Sequence, residues 1–95
     1  MIRHIVFFSA KTKADIVRVR EGLKALGTIP FATRFEVTEN IKVDRLCDTI
    51  DVVVYGEFPD AAALAAFKAH PTYAATTAAV RPLRELRFSA DIVSD

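Results

Sequence analysis

Arg3-His4-Ile5-Val6-Phe7-Phe8-Ser9 is short, rich in β-branched and aromatic residues, and free of glycine and proline. Those properties make it a β-strand. Alternation puts His4, Val6 and Phe8 on one face and Arg3, Ile5, Phe7 and Ser9 on the other. Large apolar side chains stand on both faces, so this strand needs cover on two sides. Asp51 to Phe58 has the same character, with Val52, Val54, Gly56 and Phe58 on one face and Val53, Tyr55 and Glu57 on the other.

Between these two strands the pattern changes period. Ile16, Val19, Leu23 and Leu26 recur at the spacing of one buried helical stripe. Thr12 followed by Asp15 resembles a capping box at its start, and Gly27 followed by Pro30 marks its end. Phe31 to Thr38 alternates again, as a half-buried strand. Glu39 to Thr49 is polar and weakly patterned, an exposed connection. After Phe58, Asp60 is placed to cap a helix over Ala61 to Ala69. Pro71 disfavours helical geometry at His70, so the helix stops there, and Thr72 can cap a second piece running to about Val80. This region is alanine-rich, which permits close approach to a sheet. Leu83 to Val93 closes the chain as a strand, with Leu86, Phe88, Ala90 and Ile92 alternating against Arg87, Ser89, Asp91 and Val93.

The order β-α-β-β-α-β predicts an α+β, ferredoxin-like split βαβ, with both helices on one face of an antiparallel sheet. The second face would leave Ile5, Phe7, Val53 and Tyr55 in water, a patch that monomers rarely expose. A homodimer packed sheet against sheet removes it.

Composition narrows the classes further. Residues 1–95 make one domain, and an apolar content of 52% is ample for one core. A net charge of +1, with basic and acidic residues interspersed, argues against nucleic acid as a partner. The single Cys47 excludes an internal disulfide and fits a reducing, cytoplasmic setting. Only four apolar residues follow His4 before Ser9, too few for a signal peptide, and no stretch approaches a membrane span.

Met1-Ile2-Arg3-His4-Ile5-Val6-Phe7-Phe8, then Phe58 with Leu64, the Ala69-His70-Pro71 stop, Val80-Arg81-Pro82 and a late Asp91 together resemble the stress-responsive A/B-barrel (Dabb) domain. The resemblance covers nearly the whole chain and rests on the order and spacing of these pieces. It implies a ferredoxin-like subunit whose dimer closes two sheets into an α+β barrel. Most members of that family have no assigned biochemical role. Its plant polyketide cyclases assist an aldol closure in a pocket between sheet and helices, using a strand-one histidine, a helix tyrosine and a second histidine just past a His-Pro pair. His4 matches the first. Phe67 stands at the tyrosine position and Tyr73 at that of the second histidine. Phe67 exchanges no proton, and a phenol with a pKa near 10 is a poor general base at neutral pH, which counts against that cyclase chemistry.

Each candidate side chain has two readings. His4 is either a hydrogen-bonded structural histidine or a pocket group. His70 at a helix end can interact with the last carbonyls and the helix dipole, a setting that requires no chemistry. Tyr73 can orient a carbonyl ligand or simply pack with its hydroxyl satisfied. His4 and His70 lack the ligand spacing of a metal site, Cys47 has no adjacent histidine, and no glycine pattern cradles a phosphate. The expectation is therefore a pocket that needs no cofactor, lined by Val6, Phe8, Val54, Gly56, Phe67 and His70. It would bind a small apolar or aromatic molecule. The alternative is a cofactor-independent enzyme, polyketide cyclase-like or isomerase-like, working through His4 and Tyr73. An open cavity in which these two converge within hydrogen-bond reach of a common point would favour the enzyme, and a filled core with both side chains satisfied by backbone would exclude it.

Overall fold

The computed structural model describes residues 1–94, so Asp95, the last residue of the expected domain, lies outside the description. Four strands, β1 (Ile2–Ala10), β2 (Arg34–Glu39), β3 (Val52–Phe58) and β4 (Arg84–Val93), form one sheet in the order β2-β3-β1-β4. All three pairings are antiparallel. Helix α1 (Ile16–Lys24) links β1 to β2, while α2 (Ala61–Ala69) and α3 (Pro71–Val80) link β3 to β4. This is the expected split βαβ arrangement, with the second helical connection broken in two.

The core lies between the sheet and the helices. Val6 and Phe8 of β1, Val52, Val54 and Phe58 of β3, Val19 and Leu23 of α1, and Leu64, Phe67 and Val80 are all buried. Phe58 and Phe67 meet edge to face with ring centroids 5.1 Å apart, near the centre of this layer. Truncating either ring to alanine would cost about 3–5 kcal/mol.

Several local expectations are corrected. Thr12 makes no side-chain cap; the first helix instead opens through a 3-10 turn over Lys13–Asp15, and the Asp15 carboxylate meets Arg18 at 3.2 Å. Gly27 does not end α1 with a left-handed turn, because a further 3-10 segment over Ala25–Thr28 carries the chain onward. β2 starts three residues later than the alternation predicts. Phe31, at φ 124°, turns the chain after Pro30 and cannot belong to a strand.

A buried carboxylate anchors the long connection between β2 and β3. Asp51 is 1% exposed and accepts hydrogen bonds from the Ala10 amide at 2.8 Å, Lys13 Nζ at 2.8 Å and Lys42 Nζ at 2.6 Å. Burial raises its pKa, but the hydrogen bonds from Lys13, Lys42 and Ala10 outweigh that and hold it below the ordinary carboxylate value. Lys42 adopts a left-handed φ of 57° within this cluster. The exposed loop is thereby tied to the end of β1. Among the described residues no helix is long and apolar enough to cross a membrane.

Candidate functional site

The β1–β4 register sets His4 opposite Asp91, and residues paired in this way share a face. On the helix-facing side His4 Nδ1 and Asp91 Oδ1 lie 2.5 Å apart, joining positions 87 residues apart in the sequence. The imidazole is buried, and its ring packs edge-on against Phe58 and Phe67, each at a centroid distance of 6.3 Å. Burial pushes the His4 pKa below 6.5; Asp91 pulls it upward, and the positive charges of Lys68 and Arg87 push it down again. Burial thus favours the neutral ring. Its Nδ1–H donates to Asp91, and Nε2 keeps its lone pair.

His4 lines a cavity of about 410 Å³ between the sheet and α1 and α3. That volume suits a small organic molecule. The floor is apolar and fully buried: Val6, Phe8 and Val54 from the sheet, Leu23 and Leu26 from the first helical segment, and Val80 from α3. Tyr73 and Thr77, four residues apart on α3, face the same space. The Tyr73 hydroxyl has no hydrogen-bond partner among the described residues. Lys68, Arg81, Arg84 and Arg87 complete the wall. Of these, Lys68 lies 3.9 Å from Asp91 Oδ2. The cavity exists because the helices cover β1 and β3 but leave the inner side of edge strand β4 open, so that Ser89 and Asp91 remain exposed there.

Of the residues singled out from the sequence, His4, Tyr73, Val6, Phe8 and Val54 come together around this cavity. Gly56, Phe67 and His70 do not line it. A side chain at Gly56 would meet Phe58 Cε2 at 3.0 Å and Phe35 Cδ1 at 3.3 Å, so aromatic rings already fill the gap above the glycine. Phe67 is 1% exposed and wedged among Phe35, Phe58, Tyr73 and His4. His70 is held elsewhere: its Nδ1 accepts the Thr72 amide at 3.1 Å, capping the start of α3, with Pro71 as the first helical residue. It does not contact the last carbonyls of α2 through its side chain, and Thr72 is not the cap.

Sequence reasoning missed Asp91 as the partner of His4, and it missed the basic wall. The strand order of the split βαβ, with β4 beside β1, already pointed to a neighbour for His4; only the register was lacking. Among the described residues no group of three or more His, Cys, Asp or Glu side chains is gathered as a metal ion would require.

Strand order, helix placement and the single covered sheet face define a ferredoxin-like α+β subunit. Residues 2–94 match the model of the stress responsive A/B barrel domain, and the chain belongs to that family. Among solved structures it is similar to a Dabb family protein with a ferredoxin-like fold from Mesorhizobium loti, at 28% identity and a TM-score of 0.80, covering 98% of this chain and 95% of that one. A dimeric ferredoxin-like protein of unknown function from Jannaschia matches at 19% identity and a TM-score of 0.84, over 98% of each chain. A protein from Nitrosomonas europaea, provisionally named an antibiotic biosynthesis monooxygenase, matches at 19% identity and a TM-score of 0.80, over 99% and 98% of the two chains. The last two likenesses are of fold alone. No curated protein is matched by the chain.

Proposed function

We propose that this protein is a homodimer, associated through its outer sheet face, that binds a small apolar or aromatic molecule in the cavity between sheet and helices. The observation that carries this reading is the cavity itself, about 410 Å³ with a buried aliphatic and aromatic floor and polar groups confined to its wall. A core with no ligand to accommodate would be expected to close such a space with larger side chains, because protein interiors pack densely. The test uses a neutral aromatic probe, 2-naphthol, followed by calorimetry and by the shift in Tm. Saturable binding to the native protein is expected, with loss of binding in Thr77→Trp, which fills the cavity from its wall. Absence of saturable binding, or equal binding by a folded Thr77→Trp variant, would overturn the reading.

One observation favours a second reading, a cofactor-independent proton-transfer enzyme. The buried His4 is oriented by Asp91, burial favours its neutral form, and it shares the cavity with Tyr73, whose hydroxyl is unpaired among the described residues. A base held by a carboxylate next to a hydroxyl that can receive a carbonyl oxygen suits enolisation of a ketone. Deuterium loss from α-deuterated 2-tetralone, followed by NMR, tests it. Exchange faster than in buffer, and abolished in both His4→Gln and Asp91→Asn, is expected. No acceleration by the native protein would dispose of this second reading while leaving the binding reading intact.

A further inference from the structure

The polar wall of the cavity is unbalanced. Lys68, Arg81, Arg84 and Arg87 line it, and no aspartate or glutamate does. Asp91 stands nearby, but its carboxylate is taken by His4 at 2.5 Å and approached by Lys68 at 3.9 Å. Even if Asp91 is assigned wholly to Lys68, three arginines remain. None of them has an ion pair or side-chain hydrogen bond among the described residues. The chain as a whole carries a net charge of only +1, so this concentration is local and does not follow from a basic composition. Elsewhere six of the nine lysines and arginines find carboxylates, as Lys13 and Lys42 do on Asp51 and Arg20 on Glu39; Arg3, Lys11 and Arg45, which do not among the described residues, lie outside the cavity.

The backbone makes a specific adjustment to bring two of these arginines together. Arg84 and Arg87 are three residues apart, and in a regular strand they would point to opposite faces. Between Phe8 and Ala10 the β1–β4 register shifts: Phe8 pairs with Arg87 and Ala10 with Arg84, so β4 advances three residues while β1 advances two. The amide of Leu86 in this irregular stretch is caught by the buried Ser9 hydroxyl at 3.0 Å. Bulges of this kind re-aim side chains beside functional sites. Here the outcome is that both guanidinium groups border one cavity, half-buried above an apolar floor.

From this we infer that the cavity's ligand carries an oxyanion, such as a carboxylate, on its apolar or aromatic body, and that Arg84 and Arg87 receive it. A guanidinium fork matches a carboxylate in plane and donor spacing, and the apolar floor beneath strengthens the attraction. The inference rests on the cavity being a ligand site, and adds the charge and polarity of the ligand.

Two probes of the same shape separate the two claims: naphthalene-2-carboxylate and the neutral naphthalene-2-carboxamide, titrated calorimetrically against the native protein. The carboxylate is expected to bind about tenfold more tightly or better, the return of one charge-assisted contact. That advantage should shrink as ionic strength rises. It should also be largely lost in Arg84→Gln and in Arg87→Gln, each checked for native circular dichroism, while amide binding is retained. Equal affinity for both probes would overturn the anion preference and leave the apolar pocket standing. Binding of neither probe would remove the pocket reading as well. A carboxylate preference unchanged in both folded variants would overturn the assignment to Arg84 and Arg87.

Discussion

At the scale of single residues, His4 is the side chain whose setting makes the sharpest prediction. Its pKa is lowered chiefly by burial, so the unfolded chain holds the proton more tightly than the folded one. Stability contributed by this group is therefore complete above its unfolded value of 6.5, and is lost as pH falls through the window between that value and the folded one. Denaturant unfolding at a series of pH values should show the free energy declining in that window, with the histidine-dependent part absent from His4→Gln. At neutral pH His4→Ala should cost about 1–3 kcal/mol, since it leaves a void and removes the partner of Asp91. A variant as stable as the native protein, with an unchanged pH profile, would show that the imidazole is not held as described. The alternation of β1 was enough to place His4 on the inner face. Asp91 could not be assigned to it in the same way, because that contact depends on a register set between strands at opposite ends of the chain. The basic wall was hidden for a related reason: Arg84 and Arg87 face one way only because the strand pairing slips between Phe8 and Ala10.

At the scale of elements, the junction between α2 and α3 shows how local rules compete. Ser, Thr, Asp and Asn are the preferred N-caps, which directs attention to Thr72. Pro71, however, takes the first helical position, where its missing amide costs nothing, and so the cap falls one residue earlier on His70. His70 has extended backbone angles, φ −67° and ψ 139°, as the residue before a proline should, and these free its ring to reach back to the Thr72 amide. Asp60 does the equivalent for α2 with a standard cap, accepting the Ala63 amide at 2.8 Å, a position already legible in the sequence. The role of His70 gives a test by substitution. His70→Ala should cost about 0.5–2 kcal/mol, whereas His70→Asn, which also accepts at an N-cap, should recover most of that loss in thermal melts. Equal destabilisation by both substitutions would argue that the ring's packing, and not its cap, holds the two helices in place.

At the scale of the whole molecule, the unresolved demand is the outer face of the sheet. Ile5, Phe7, Val53 and Tyr55 were legible there from strand alternation, and β4 extends the patch with Leu86, Phe88, Ala90 and Ile92. Phe7 pairs directly with Phe88, and the two rings are 37% and 57% exposed in the single chain. Ile92 adds a further exposed position, at 45%. So large and continuous an apolar surface, on the face that carries no helix, is best satisfied by a second copy placing the same face against it. Light scattering after size exclusion should give a dimer at micromolar concentration. Phe88→Asp sets a charge at the middle of β4 on this outer face, away from the cavity, and should shift the protein to monomer with a lower Tm. If the cavity is built within one subunit, as its lining residues are here, probe binding to that monomer should persist. A native protein that is monomeric at micromolar concentration would remove the dimer from the proposed function. If instead Phe88→Asp gave a folded monomer that no longer bound probe, the second subunit would have to help hold β4, and with it Arg84, Arg87 and Asp91, in the geometry that closes the site.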